Sequence, residues 1–326
     1  MLRGRRPVVA ILAAALLSAC RQPPPPEQVE LRVPDGATAR RIVRQLADAG
    51  LVESPALFSA YVRLRGRESS LKSGRYLIPG DASWSQILSI LERGEVATQA
   101  FTVPEGFGLR DIAPLVADLS GVAPDSVRRM GADTALARAL RVPGPTLEGY
   151  LFPDTYRFAE GLSPREALTA MVERYRTYWT ERRRRRADSL SLGEREIVTL
   201  ASIVEKEALR ADERPIIAGV YLNRLRIGMR LQADPTVQYA LDAPRARLLY
   251  RDIESVADDP YNTYTHGGLP PGPIASPGEA ALDAVLWPAD VPYLFFVARP
   301  DGSHEFTATE REHINAKNRI RRERRR

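Results

Sequence analysis

Apolar residues recur three and four positions apart along much of this chain, and a short strand-like run precedes several of these stretches. Residues 33–36 read Val-Pro-Asp-Gly and are followed by an apolar helical pattern, and residues 103–106 repeat the arrangement with Val-Pro-Glu-Gly. A shorter relative, Tyr-Leu-Ile-Pro-Gly, occupies residues 76–80. Each copy predicts a strand, a Pro/Gly turn and an amphipathic helix.

These elements predict an α+β fold in two domains. Residues 30–99 are expected to form a small domain with the order strand, helix, helix, strand, helix, in which residues 56–64 are the second helix. Residues 100–326 are expected to form a larger α+β domain. Within it, residues 164–189 are predicted to be one long helix, with Ser163 as its N-cap and Pro164 at the first helical position.

Two runs of arginine stand out. Residues 182–186 are five consecutive arginines, and residues 321–326 are a basic tail. A run of this kind can mark an anionic partner, but lysine occurs only three times in the chain, so the sequence is arginine-rich throughout. We interpret the first run as a solvated helix face and the tail as frayed.

The N-terminus carries an export and lipidation signal. Three arginines precede a short apolar stretch at residues 8–17, which is typical of a signal peptide and too short for a stable membrane anchor. The stretch ends in Leu-Ser-Ala-Cys at residues 17–20, which resembles a bacterial lipobox, and Cys20 is the sole cysteine. Residues 1–19 are therefore predicted to be a lipoprotein signal peptide, and residues 20–29 a lipidated cysteine with a stiff proline-rich linker. An ordinary secretory signal is the alternative.

Charge and composition exclude several classes of protein. Cleavage before Cys20 removes three arginines and no acid, which lowers the net charge from +6 to +3. On the outer side of a membrane, nucleic acid is not an expected partner. With one cysteine and three separated histidines, His266, His304 and His313, we expect no metal site, and we read His304 and His313 as local hydrogen bonders. We also expect no cofactor, since phosphate-loop, nucleophile-elbow and zinc-peptidase motifs are absent from the sequence.

Two glutamates lie on the most distinctive predicted helix, residues 194–209. Its apolar stripe is formed by Ile197, Ala201, Val204 and Ala208. At about 100° per residue, Glu205 and Glu207 flank this stripe on opposite sides. A carboxyl against an apolar wall has a raised pKa and suits general acid catalysis, whereas a rim carboxylate would pair with an arginine. The helical periodicity does not choose between the two.

Candidate binding residues follow in two polar segments. Asp234 and Pro235 are predicted to open a helix, while Gln232, just before them, has no evident structural role. Residues 261–274 form a proline-stiffened loop that contains Asn262, Thr263 and Tyr264. Aromatic rings and fixed hydrogen-bonding groups in such a loop are the mixture that binds sugars, although tyrosines could equally cover a core edge.

Several motifs together resemble those of the endolytic murein transglycosylase family, also called MltG or YceG-like. They are Leu-Glu-Gly-Tyr-Leu-Phe-Pro-Asp-Thr-Tyr at residues 147–156, Glu-Lys-Glu at 205–207, the segment 223–236, Tyr-Asn-Thr-Tyr at 261–264 and Gly-Leu-Pro-Pro-Gly at 268–272. The resemblance covers nearly all of residues 30–320. It implies a LysM-like βααβ first domain and a lyase that cuts peptidoglycan glycan strands between N-acetylmuramic acid and N-acetylglucosamine, forming a 1,6-anhydro ring and ending strand elongation.

The resemblance also implies roles for individual residues. Glu207 matches the catalytic glutamate of the family, while the binding candidates are Glu205, Gln232, Asn262, Thr263 and Tyr264. Asp154 and Asp234 are the acids that would change this mechanism if either faced Glu207. A muramidase-type hydrolase and a non-catalytic lipoprotein that tethers membrane to wall are the alternatives.

The resemblance bears on location and partners as well. Many relatives have a transmembrane helix where this chain has a lipobox. We expect a lipid anchor in the cytoplasmic membrane facing the periplasm, with the outer membrane as the alternative, and peptidoglycan synthases as partners.

Overall fold

The computed structural model describes residues 28–94, 98–159, 161–241 and 243–323. The chain divides into two compact units, one up to Ala97 and one from Thr98. The proposed signal peptide, Cys20 and most of the proline-rich linker lie outside the described residues. Within the described ranges, none of the helices is both long enough and apolar enough to cross a lipid bilayer.

The first unit is a two-stranded antiparallel sheet covered by three helices. Its elements are β1 (Gln28–Val33), α1 (Ala39–Asp48), α2 (Pro55–Leu64), β2 (Gly74–Pro79) and α3 (Trp84–Arg93). This is the order of elements that the sequence predicts. Strand β1 pairs with β2 so that Gln28 lies opposite Pro79 and Val33 opposite Gly74. Alternate strand residues and the apolar faces of all three helices form one core.

Local sequence sets the helix starts in this unit. The Thr38 side chain accepts a hydrogen bond from the N–H of Arg41 at the start of α1. Ser83 and Gln86 form a capping box at the start of α3, in which each side chain satisfies the other's backbone N–H. Pro55 opens α2, where its missing N–H costs nothing.

The second unit is mainly helical and contains two short two-stranded sheets. Its strands are β3 (Thr98–Val103), β4 (Asp154–Ala159), β5 (Phe295–Ala298) and β6 (His304–Thr307). Its helices are α4 (Leu109–Ser120), α5 (Pro124–Gly131), α6 (Thr134–Ala139), α7 (Pro164–Tyr178), α8 (Glu181–Ser189), α9 (Glu194–Glu207), α10 (Arg214–Arg226), α11 (Asp234–Ala240), α12 (Tyr250–Ser255), α13 (Glu279–Leu286) and α14 (Glu310–Glu323). Strand β3 pairs with β4, and β5 with β6, both antiparallel.

Helix α9 is the centre of this unit. Every residue from 197 to 204 is buried, so the helix is enclosed on all sides rather than along a single apolar stripe. Two of these residues are polar and are satisfied internally. Thr199 donates to the carbonyl of Arg195, and Ser202 donates to the carbonyl of Thr199 and accepts from the N–H of Ile274. Ser202 therefore fixes the end of the loop 261–274 against α9.

The prediction of one helix over residues 164–189 is wrong. The N-cap at Ser163 is confirmed, since its side chain and Glu166 form a capping box. The helix ends at Tyr178, however, because Trp179 turns out of helical conformation with ψ 79° and is buried. Thr180 then caps α8 by accepting from the N–H of Arg183.

The arginine runs also differ in part from their interpretation. In the run 182–186, Arg183 binds Asp283 of α13 through two hydrogen bonds of 3.0 Å, and Arg186 donates to the carbonyl of Leu286. These two residues attach α8 to α13, while the other three arginines are exposed. The tail is helical as far as Glu323, where the interpretation expected a frayed end.

Candidate active site

The last turn of α9 lies beside two segments of the second unit, the turn between β3 and α4 and the residues just before α13. Two backbone hydrogen bonds join these segments: the N–H of Gly106 donates to the carbonyl of Ser276, and the N–H of Ser276 donates to the carbonyl of Phe107. Lys206, on α9, donates to the carbonyl of Gly106 at 3.2 Å. Gly106 has φ +74°, a left-handed turn that glycine adopts readily. These contacts place the C-terminus of α9 at the junction of three segments.

Glu207 is the last residue of α9 and is half-buried. The hydroxyl of Tyr221, on α10, donates to Glu207 Oε1 at 3.0 Å. Burial raises the pKa of Glu207 to about 7, the Tyr221 hydrogen bond and the positive charge of Arg224 oppose this rise, and the negative charge of Asp234 adds to it. A carboxyl with this pKa is protonated in a large fraction of molecules near neutral pH and can donate its proton.

Asp234 and Tyr264 complete the surroundings of Glu207. The Tyr264 hydroxyl donates to Asp234 Oδ1 in a short hydrogen bond. Burial raises the pKa of Tyr264, and the charges of Asp234 and Glu207 raise it further, so the three groups interact electrostatically. Of the two acids that the sequence leaves in question, Asp234 is the one near Glu207. Asp154 is bound instead to Arg174, with a distance of 2.6 Å between Oδ2 and Nε.

Arg224 supports the same site from within. Its side chain is buried, and its guanidinium donates to the carbonyls of Leu294 and Leu231, the former at 2.6 Å. Burial lowers the pKa of Arg224. The residue thus links α10 to the segments before α11 and β5 and supplies a positive charge near Glu207.

Glu205 has a different environment from Glu207. Its side chain is 6% exposed and lies 3.1 Å from Nη2 of Arg214. Its other oxygen accepts from the N–H of Gly278, at the N-terminus of α13, also at 3.1 Å. The carboxylate is therefore neutralised and joins three elements, which favours a positioning role over direct contact with a ligand.

The remaining binding candidates fall into two groups. Gln232 is exposed, has φ +50°, and donates its N–H to the carbonyl of Thr263. Left-handed backbone is costly for a residue with a side chain and is held here by the surrounding structure. Tyr264 is half-buried beside Asp234.

Asn262 and Thr263, by contrast, lie in the interior. Asn262 donates to the carbonyls of Ile253 and Val256 at 2.9 and 3.0 Å, while its side-chain oxygen accepts from the N–H of Tyr264. Thr263 Oγ1 accepts from the N–H of Ala233. Both side chains hold the loop that carries Tyr264, so the structure gives them positions from which they support the site.

Glu148 is a further buried carboxyl, one for which the sequence predicts no role. Both of its oxygens accept from the N–H of Leu109, the first residue of α4, and Tyr239 donates to one of them at 3.4 Å. Burial raises the pKa of Glu148 to about 7. Its carboxyl accepts from the N-terminus of α4, and this structural role is enough to account for it. Only its place in the motif 147–156 could have drawn attention to it.

Tyr221 was also missed by sequence reasoning. It lies fourteen residues after Glu207 on another helix, and its contact with Glu207 depends on how α9 and α10 pack. Such contacts leave no periodic signal in the sequence.

His304 and His313 have different environments. His304 makes a buried pair with Glu213, with 2.6 Å between Nδ1 and Oε2. The ring of His313 stacks on Phe295, and its buried Nδ1 atom has no hydrogen-bond partner among the described residues. In the part of the chain that the structure describes, no group of three or more His, Cys, Asp or Glu residues is arranged to hold a metal ion.

Residues 31–319 match the YceG-like family, and the chain belongs to that family. This agrees with the resemblance carried by the sequence motifs.

The chain is also similar to individual proteins whose names state an activity. The chain is 33% identical over 306 residues to the endolytic murein transglycosylase of Bacillus subtilis, covering 89% of this chain and 84% of the relative. It is 29% identical over 331 residues to the endolytic murein transglycosylase of Streptococcus pneumoniae, of which it spans 59%. Among solved structures, it is similar to the 2.6 Å crystal structure of a putative yceG-like protein from Listeria monocytogenes. That match has a TM-score of 0.62 and 30% identity, and it covers 89% of this chain and 99% of the other.

Proposed function

We propose that this chain is an endolytic murein transglycosylase, a lyase that cuts peptidoglycan glycan strands at the bond between N-acetylmuramic acid and N-acetylglucosamine. The observation that carries the proposal is the carboxyl of Glu207, the last residue of α9, whose pKa burial raises to about 7. The names of the relatives from Bacillus subtilis and Streptococcus pneumoniae support the choice of substrate. Cleavage of this kind within new strands would end their elongation.

The reaction needs one carboxyl that acts twice. Protonated Glu207 donates to the glycosidic oxygen while the bond from that oxygen to muramyl C1 breaks through an oxocarbenium-like state. The carboxylate so formed takes the proton from the muramyl C6 hydroxyl, whose oxygen bonds to C1 and closes the 1,6-anhydro ring. The proton returns to Glu207, the sugar on the other side leaves with a free hydroxyl, and no water is consumed.

Neighbouring residues have roles that follow from their positions. Burial and the negative charge of Asp234 both favour the protonated form of Glu207. Exposed Gln232 and half-buried Tyr264 are the candidates for direct contact with sugar. Buried Asn262, Thr263 and Glu205 position these groups.

The first unit suits a LysM-like module that binds glycan. Its βααβ order is followed by a third helix, and a groove of about 380 Å³ lies between the start of α1 and α2. The groove is lined by Thr38, Ala39, Arg40, Val43, Ser59, Val62, Arg63 and Glu68. It belongs to the first unit, and Glu207 belongs to the second. A glycan held there would keep the enzyme on its polymeric substrate.

Location follows from the lipobox. We place the mature protein on the outer side of the cytoplasmic membrane, held by lipid on Cys20, where peptidoglycan synthases would be its partners. Two acyl chains are enough for durable membrane attachment.

The test compares digestion products of two matched variants. Purified peptidoglycan is incubated with wild type, Glu207→Gln and Asp154→Asn, each lacking residues 1–20, and the muropeptides are identified by mass spectrometry. Wild type is expected to give anhydro-muropeptides. Glu207→Gln is expected to reduce their rate of formation by about 10²–10⁴-fold. Asp154→Asn should leave the products unchanged, because Asp154 is bound to Arg174.

Other outcomes would each contradict a stated part of the proposal. Reducing ends in place of anhydro ends would mean a hydrolase. Full activity of Glu207→Gln would move the acid to another residue. A wild-type protein that binds peptidoglycan and yields no products would favour the alternative, a non-catalytic lipoprotein that tethers membrane to wall.

A further inference from the structure

Helix α2 has an exposed apolar face that no described residue covers. Leu57 is 62% exposed and Leu64 is 89% exposed, and half-buried Tyr61 lies between them. The spacing of four and three residues puts all three on one side of the helix. The guanidinium of Arg65 lies 5.0 Å from the centre of the Tyr61 ring.

Trp84 extends this face onto the start of α3. Its ring centroid lies 5.8 Å from that of Tyr61, and it is half-buried. We call Leu57, Tyr61, Leu64, Arg65 and Trp84 the α2 patch. It combines two leucines, two amphipathic aromatic rings and a cation.

The α2 patch is separate from the proposed glycan groove. The groove is lined on α2 by Ser59, Val62 and Arg63. At about 100° per residue, these side chains are centred on the side of the helix opposite Leu57, Tyr61 and Leu64. A glycan in the groove would therefore leave the patch uncovered.

The membrane tether enters the unit close to the patch. Gln28, the first residue of β1, pairs with Pro79 at the end of β2, and Trp84 opens α3 five residues after Pro79. Gln28 is eight residues after Cys20, and eight residue steps span at most about 25–29 Å when extended. A chain held by lipid on Cys20 therefore keeps this end of the unit near the lipid surface.

We propose that the α2 patch rests in the interface of the membrane to which the chain is tethered. The inference rests on the proposed lipidation of Cys20. Leu57 and Leu64 enter the boundary between headgroups and acyl chains, while Tyr61 and Trp84 lie at headgroup depth. Arg65 binds the phosphate of anionic lipids, whereas neighbouring Arg63 and Arg67 are paired with Glu68 and Glu92. The contact orients the first unit so that its groove faces away from the lipid side of α2.

The first test measures binding to vesicles without a tether. Chain 20–326 carrying Cys20→Ser is sedimented with vesicles of phosphatidylethanolamine and phosphatidylglycerol. The double change Leu57→Ser and Leu64→Ser is expected to weaken partition by about tenfold or more. The matched control, Leu209→Ser with Ile314→Ser, changes two residues of 76% and 50% exposure in the second unit and should partition like the parent. Equal partition of all three would overturn the proposal.

The second test restores the tether and reads Trp84, one of three tryptophans in the chain, by comparison with Trp84→Phe. Cys20, the sole cysteine, is coupled to a maleimide lipid in the same vesicles, which also contain brominated acyl chains. Quenching of tryptophan fluorescence is expected in the parent and should be lost in Trp84→Phe and reduced in the Leu57/Leu64 variant. Because coupling is chemical, failure here does not depend on whether cells lipidate Cys20.

Three results of these tests would contradict the inference. They are an unquenched Trp84 in the tethered chain, quenching that the leucine changes leave intact, and a patch that instead drives self-association abolished by the same changes. The last would make a second copy the occupant, and light scattering of the parent and the variant would detect it.

Discussion

At the scale of single residues, two neighbours act on the acidity of Glu207 in opposite directions. Asp234 raises the pKa of Glu207 by charge repulsion, and the hydrogen bond from Tyr221 lowers it by stabilising the carboxylate. Burial accounts for most of the shift to about 7. The protonation of the acid is therefore set mainly by burial and adjusted by its neighbours.

This balance predicts opposite pH shifts for two variants. Because the reaction needs protonated Glu207, its rate should fall as pH rises through the pKa of that carboxyl. Asp234→Asn removes a repelling charge, so the pKa of Glu207 falls and the alkaline limb of the pH–rate profile moves to lower pH. Tyr221→Phe removes a bond to the carboxylate, so the limb moves to higher pH.

The measurement is the rate of anhydro-product formation between pH 5 and 9 for both variants and wild type. Loss of all activity in Asp234→Asn at every pH would contradict this assignment, because it would make Asp234 a reacting group. Shifts of the same sign in both variants would contradict the electrostatic account.

The choice between Glu205 and Glu207 shows what sequence could reach at this scale. A helical wheel places both beside an apolar stripe, and in the structure both are half-buried on either side of exposed Lys206, so exposure does not distinguish them. What separates the two acids is Arg214 beside Glu205 and Tyr221 beside Glu207, both brought in by another helix. The resemblance to the family selected Glu207 where periodicity could not.

At the scale of elements, the features that depend on neighbouring residues in the sequence were predicted correctly. The repeated Val-Pro-acid-Gly segments are strand ends followed by left-handed glycines, Gly36 and Gly106, and then by helices. The break at Trp179 was not predicted, because the residues on both sides favour helix. It depends on burial of the Trp179 ring and on the contacts of α8 with α13.

Gly149 provides a test of how the motif 147–156 docks. It has φ +83°, and an added Cβ would lie 2.3 Å from Cβ of Pro273 in the loop 261–274. Gly121 also has positive φ, +69°, with open space around it. Gly121→Ala is expected to cost about 1–2 kcal/mol. Gly149→Ala should cost about 1–3 kcal/mol more, because backbone and proline must move.

Urea unfolding of the two glycine variants measures this difference. Equal free energies of unfolding would mean that the contact between Gly149 and Pro273 is loose. A larger loss for Gly149→Ala, accompanied by lower lyase activity, would show that the motif holds the loop bearing Tyr264 in place.

At the scale of the whole molecule, the two units carry different surface and site features. The first unit holds a groove and an exposed apolar face, and the second unit holds the acid. The α+β class and the element order of the first unit could be predicted, because each helix and strand has its own periodic signal. The arrangement of groups within each site could not, since it arises from packing between distant segments.

Attachment to the membrane is the prediction that belongs to this scale. Cys20→Ala should prevent lipidation and leave residues 1–19 uncleaved by lipoprotein peptidase, so that the lipidated mature form disappears from the membrane fraction of an expressing cell. Mass spectrometry of the N-terminal peptide should find diacylglycerol on Cys20 in wild type. A wild-type chain that begins elsewhere and carries no lipid would favour an ordinary secretory signal.

The contacts of Glu205 fix the end of α9 during folding, before any substrate binds. The last turn of a helix usually frays, but Glu205 ties the end of α9 to the start of α10 and to the N-terminus of α13. Lys206 adds a bond to the carbonyl of Gly106. The backbone that carries Glu207 is thus immobilised when the chain folds, and no turnover has to repeat that loss of entropy. When a long and mobile glycan strand enters the site, the conformational entropy that is lost is then that of the strand alone.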